Sequence, residues 1–249
     1  MFSLIHFPLG SIQDQTADPR NASDEYITRM FGINLFGPMH TVSAFLPLLR
    51  SATLPRPHPV VLAFTTSSSL YACPPLMSHY AASKAALASY IEVLQKEVRS
   101  PVFLSQGLDI SVVSFECGGF PTSLGQPRGH GDAGLTSSSL TSVPAYADTL
   151  GKVTEIFVAE GAACMPGDLA RLPSIMVDIV KREGVAKGRT WAVRIPLGSD
   201  AVAAAEQKST ELLGLVESWR DVCYSTDRDG AETGGSKRLL KMGSIVEDY

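Results

Sequence analysis

Two short runs, Val60 to Phe64 and Ile110 to Phe115, limit what this chain can fold into more than any other feature. Each is apolar or weakly polar along its whole length, so each predicts a strand buried on both faces of a sheet. Long helical patterns surround them. After Ser23, Asp24 and Glu25, which suit a helix start, Tyr26, Ile27, Met30, Ile33 and Leu35 recur at helical spacing toward Leu49. Leu76 to Arg99 reads as a second long helix, dense in alanine, and Ala145 to Glu160, Gly167 to Glu183 and Asp200 to Cys223 as three more, with a third strand at Thr190 to Ile195. Strands alternating with helices predict an α/β fold, a doubly wound parallel sheet with helices on both faces. No internal repeat is visible.

At 249 residues one core suffices, burying about three quarters of the unfolded chain's surface without help from a metal or disulfide. Residues 1–226 are expected to form that domain, and 227–249, polar and without period, a disordered tail. The formal charge is -4, and the only basic cluster is Lys237, Arg238 and Lys241, so nucleic acid is not an expected partner. The longest strongly apolar run has five residues, against the ~20 that cross a bilayer. Met1 to Gly10 lacks the basic start and apolar stretch of a signal peptide. Cysteines 73, 117, 164 and 223 are too far apart for a zinc motif and suit a reducing compartment, so a cytoplasmic setting is expected. The five histidines form no ligand pair, and no metal site is expected.

Tyr80 and Lys84 stand four residues apart on the second helix, so their heads leave the same face. At ~4 Å and an effective dielectric near 20, the cation would favour the phenolate by about 4 kcal/mol, or roughly three pK units. That would bring a phenol toward neutrality, as proton transfer at pH 7 requires. The same pair also occurs as an ordinary surface contact. Ser67 ends the first buried strand, thirteen residues before Tyr80, where open parallel sheets bind ligands, although Ser68 and Ser69 fit a loop cap equally well. Asn34 has Pro38 four residues on, which offers its carbonyl no N–H. That carbonyl would hold a relay water, or else the proline merely kinks the helix.

Tyr80-Ala81-Ala82-Ser83-Lys84-Ala85-Ala86-Leu87, with Ser67 before it and Asn34-Leu35-Phe36-Gly37 further upstream, resembles the short-chain dehydrogenase/reductase family. The resemblance runs from Ser23 to about Thr226. It implies a Rossmann-like fold and hydride transfer between NADP or NAD and the carbonyl or alcohol of a small, lipophilic substrate. It makes Tyr80 the general acid/base, Lys84 the residue that lowers its pKa and binds the nicotinamide ribose, Ser67 the substrate-orienting hydroxyl and Asn34 the support of a proton relay. The family's Pro-Gly-x-x-x-Thr stretch reads Cys117-Gly118-Gly119-Phe120-Pro121-Thr122 here, so Gly118, Phe120 and Thr122 join Tyr80 and Lys84 as cofactor contacts, with a cysteine in place of proline. It opens a loop with six glycines between Gly118 and Gly134, expected to be functional. Gly167-Asp168-Leu169-Ala170, Ile195 to Asp200 and Trp219-Arg220-Asp221 look like the C-terminal part of members acting on extended substrates.

One departure stands against these matches. The family's dinucleotide site begins with a β-α-β-α-β half of about 60 residues, and only 22 residues precede Ser23. The expectation is an N-terminally truncated member that lacks that half, binds NAD(P)H weakly or not at all, and leaves NAD against NADP undecided. Gly125 to Gly131 has the fingerprint's glycine spacing but follows no strand and opens no helix, which suits a lid better than a phosphate cradle. Leu4 to Phe7 is either the last strand of the missing half or unrelated. Two readings therefore stand: an oxidoreductase, or an inactive remnant that serves as an interaction or dimerisation module, a homodimer being a partner in either case.

Overall fold

The computed structural model describes residues 3–7 (backbone only), 24–51, 60–75, 77–100, 109–122, 147–160 and 165–230. Four strands form one sheet in chain order: β1 (Ser3–Phe7), β2 (Val60–Ser67), β3 (Ile110–Cys117) and β4 (Arg194–Leu197). Every pairing is parallel, and β2 and β3 run in register over eight residues, from Val60↔Ile110 to Ser67↔Cys117. Leu4 to Phe7 thus belongs to the sheet, beside β2. Both central strands outrun their apolar stretches, because Thr65, Thr66, Ser114 and Glu116 are also buried in the ladder. The third strand falls at Arg194–Leu197, later than its apolar pattern suggested. Val193 and Trp191 pack on the core from outside the strand instead.

Alternation along β2 and β3 splits the core in two. Val60, Leu62, Phe64, Ile110 and Val112 pack with Val42 of α2 (Gly37–Ser51) and with Leu87, Ile91, Leu94 and Val98 of α4 (Ser78–Val98). Val61, Ala63, Val113, Phe115 and Cys117 pack on the other face with Val180 of α6 (Leu172–Lys181). The sheet is therefore covered on both sides, as the doubly wound class requires. Short α3 (Ser69–Ala72) follows β2, α5 (Ala147–Glu160) lies between β3 and α6, and α7 (Ser199–Ser218) and α8 (Arg220–Tyr224) follow β4.

The first long helix is not uniform. α1 (Asp24–Phe31) gives way to a π-helical turn, Gly32–Phe36, before α2 begins. The kink expected at Pro38 is a change of ladder instead: the Gly37 N–H bonds the Gly32 carbonyl, five residues back. A proline that removes one i→i−4 donor leaves the preceding turn to close by the longer bond, and such turns gather at functional sites. Asn34 lies inside it, buried.

The expected tail is described only as far as Gly230; the glycine-rich loop beyond Thr122, including Gly125 to Gly131, lies outside the described residues. No helix among the described residues is long and apolar enough to cross a membrane. Phe64 is fully buried at the centre of the α4-facing core. Phe64→Ala should destabilise the fold by about 3–5 kcal/mol, read as a lowered urea midpoint at unchanged slope.

Candidate active site

The register of β2 and β3 brings Ser67 and Cys117 to the same edge of the sheet, the carboxyl edge, where α3 and the glycine turn after β3 begin. α4 starts beyond α3 and presents Tyr80 and Lys84, both almost fully buried although they lie in the helix's first two turns. The Ser67 hydroxyl stands close enough to the Tyr80 phenol to favour its phenolate form. Ser67 also accepts the Ser69 N–H at 3.2 Å, and Ser68 donates its N–H to the Cys117 carbonyl at 2.9 Å. Of the three serines, then, Ser67 faces the tyrosine. Lys84 Nζ stands 5.7 Å from the centre of the Tyr80 ring.

The electrostatics differ from the expectation of a neutral-range phenol. Burial pushes Tyr80 up to about 12, against the nearby Ser67 hydroxyl, which favours the phenolate. Burial likewise pulls Lys84 down to about 8. Desolvation disfavours the charged form of each group and is the largest cause of both shifts. The Cys117 thiol, where the family has proline, is also pushed up to about 12, first by burial and then by the Asp200 carboxylate.

Asn34 reaches this centre indirectly. Its Nδ2 donates to Ser83 Oγ at 3.1 Å, and Ser83 donates to the Tyr80 carbonyl at 2.8 Å. The π-helical turn is thus tied to the turn of α4 that bears the tyrosine. Asn34 Oδ1 is buried and has no partner among the described residues, so this side-chain oxygen is a polar group whose hydrogen bond is left unmade.

Sequence reading passed over Asp200, in the first turn of α7. Its Oδ2 accepts the Gly119 N–H at 2.6 Å, and its Oδ1 is buried without a partner among the described residues. A Cβ on Gly118 would lie 2.2 Å from Asp200 Oδ1, and Gly198, at φ 114, would bring one to 2.6 Å. The carboxylate therefore fills a cradle that only glycines leave open. Gly118 donates its N–H to the Leu197 carbonyl and Gly119 accepts the Gly167 N–H, each at 2.9 Å, while the Phe120 ring lies against Gly167. Thr122 is exposed at the end of the described stretch. The signal for Asp200 was a carboxylate just after a strand and glycine, at a helix start. Among the described residues no group of three or more potential metal ligands occurs.

The model of the short chain dehydrogenase family matches residues 10–132, which include Asn34, Ser67, Tyr80 and Lys84. Over this stretch, just under half of its length, the chain is similar to the short chain dehydrogenase family. A short-chain dehydrogenase from Streptomyces avermitilis is similar at 23% identity and TM-score 0.67, over 91% of this chain and 72% of that one. A short chain dehydrogenase from Mycobacterium paratuberculosis, solved bound to NAD, is similar at 17% identity and TM-score 0.50, over 81% of this chain and 64% of that one. At these identities the likeness establishes a Rossmann-like fold for this chain. No curated protein matches it.

Burial of Lys84 sets a pH dependence of stability. Its folded pKa, about 8, lies below the ordinary lysine value of 10.5, so above pH 8 the unfolded chain holds more protons and stability rises with pH. Between pH 8 and 9 the rise from this group should be about 1 kcal/mol. Above pH 9 the raised Cys117 works in the opposite direction. Lys84→Met should abolish the rise and stabilise the folded protein at pH 7, as measured by denaturant midpoints at pH 7, 8 and 9.

Proposed function

We propose that this chain is an NAD(P)-dependent oxidoreductase that reduces the carbonyl of a small, lipophilic substrate, with Tyr80 as the proton donor. The observation that carries this reading is a buried Tyr80 at the carboxyl edge of a parallel sheet, with Lys84 buried beside its ring and Ser67 near enough to favour its phenolate. The donor set fits the nicotinamide end of a dinucleotide: a lysine for the ribose hydroxyls, and the Gly118 to Thr122 stretch against the ring. A nicotinamide bound there supplies or accepts the hydride. The chain's own residues do the rest. With a pKa near 12, Tyr80 is a phenol throughout the neutral range and stands ready to donate. Ser67 orients the substrate oxygen toward the phenol and polarises it. Lys84, protonated below about pH 8, holds positive charge beside a tyrosine that becomes phenolate as its proton leaves. Asn34, through Ser83, fixes the turn of α4 that carries the phenol, and a water on its free Oδ1 would be the outer end of a proton path. Gly119, tied to Asp200, keeps the cofactor-side turn in place.

The Mycobacterium paratuberculosis neighbour was solved with NAD, which supports a nicotinamide cofactor here without choosing between NAD and NADP. The residues named above meet only the nicotinamide and its ribose, and hydrogen bonds worth about 1 kcal/mol each barely offset the entropy of association. NADPH and NADH should therefore saturate this chain only at concentrations on the order of millimolar, followed by nicotinamide fluorescence. At such concentrations, with a panel of aliphatic ketones and aldehydes, Tyr80→Phe should cut turnover by about 100-fold or more and leave coenzyme affinity unchanged. Turnover above a tenth of the parent's would remove Tyr80 from its role.

The second reading, an interaction or dimerisation module, draws on Phe45 and Leu48 of α2 and Val93 of α4, which are 40%, 62% and 51% exposed. Both readings accommodate a homodimer. No hydride transfer at saturating coenzyme, together with a dimer in sedimentation that Leu48→Asp dissociates, would favour the module.

A further inference from the structure

A charge inside a fully buried strand demands an explanation, because an unpaired buried carboxylate costs several kcal/mol. Glu116 is such a charge: its side chain is 0% exposed, one residue before Cys117 at the end of β3. Two groups meet it. Tyr71 of α3 donates its hydroxyl proton to Oε2, and Arg194 of β4 donates from Nε to Oε1. Arg194 then closes the cluster, giving Nη2 to the Tyr71 hydroxyl at 2.8 Å and Nη1 to Glu92 of α4 at 2.9 Å. Its guanidinium carbon also lies 5.2 Å from the centre of the Tyr71 ring. One carboxylate therefore joins β3, β4, α3 and, through Arg194, α4.

Stability alone explains this cluster poorly, since well-packed apolar residues replace buried ion pairs without loss. Geometry explains it better. Each donor is held along a fixed direction, and the segment so held is the one that sets Ser67. From Ser67 the chain enters α3, leaves it at Cys73 in the left-handed region (φ 45), passes Pro74 and Pro75, and reaches Tyr80 in α4. Tyr71 is the α3 side chain that β3 and β4 grip, two residues beyond Ser69, whose N–H the Ser67 hydroxyl accepts.

We infer that Glu116 is a positioning residue for Ser67: acting through the Tyr71 hydroxyl, it pins α3 so that the Ser67 hydroxyl stays in reach of Tyr80. The inference rests on the reading of Ser67 as a catalytic residue, and the test separates the two. Amide hydrogen exchange on the full chain reports the geometry without substrate or cofactor. Glu116→Gln keeps the shape and removes the charge. The Ser68 and Ser69 amides should then exchange about tenfold faster or more, with those of Val61 to Thr66 in β2 unchanged, because loss of a charged hydrogen bond frees α3 and not the sheet. Tyr71→Phe, which leaves the Glu116–Arg194 pair in place and deletes one hydroxyl from a half-buried ring, should do the same and serves if Glu116→Gln does not fold. Equal acceleration across β2 and α3, or none in α3, overturns the inference. In turnover both variants should lower kcat about tenfold at constant coenzyme KM, as for a misplaced catalytic group. Faster exchange with unchanged kcat overturns the link from Glu116 to catalysis by showing that Ser67 is not catalytic, while the anchoring of α3 stands.

Discussion

The eight-residue parallel ladder between β2 and β3 is the constraint on which the rest of this molecule depends. Nearly every residue in it is buried, so both faces must be covered, and the two helical layers follow. Its register ends Ser67 opposite Cys117, and that single pairing places the α3 turn and the glycine turn side by side. Slipping it would take each strand's apolar set to the wrong layer, which makes the site as specifically defined as the core. The candidate site is thus attached to the end of the buried ladder and to α4.

Much of this could be read from residue order, for stated physical reasons. Continuous apolar or weakly polar runs announced strands covered on both sides, and Tyr80 and Lys84 at i and i+4 had to share a face. Ser67 could be proposed from position alone, but only the three-dimensional course of α3 distinguishes it from Ser68 and Ser69. What stayed hidden depends on distance and desolvation, which spacing does not carry. The phenol is raised instead of lowered because burial outweighs the Ser67 hydroxyl, which favours the phenolate. Pro38 was correctly recognised as a disturbance, yet a kink and a π-helical turn have the same sequence signature. The β4 strand was misplaced because Trp191 and Val193 look like strand residues while packing on the core from its approach. Asp200 and Arg194 have meaning only beside partners some eighty residues away. Glu116 had a local clue, as Asp200 did: a carboxylate in a strand otherwise apolar or weakly polar.

Two buried charge systems flank the sheet edge with different designs. Around Glu116, opposite charges and a phenol satisfy one another, and both Tyr71 and Arg194 are held above their ordinary pKa values, Tyr71 chiefly by burial and Arg194 by its carboxylate partners against burial. Around Tyr80, the groups are desolvated without such compensation, and their pKa values move toward the neutral forms. The first arrangement resists change, whereas the second releases free energy when a ligand restores its charges. Such contrast between a satisfied scaffold and an uncompensated centre is how a preorganised site stores its responsiveness.

The carboxylate cradle has an evolutionary side. Gly118 and Gly198 are held open by the bulk of Asp200, and Asp200 is held in place by the Gly119 amide. None of the three can drift alone: a methyl group at either glycine collides with the carboxylate, and shortening the carboxylate first leaves a buried amide without its acceptor. Any lineage that exchanges this turn must cross a poorly packed intermediate or change several codons together. The cradle is therefore a unit whose members constrain one another's replacement.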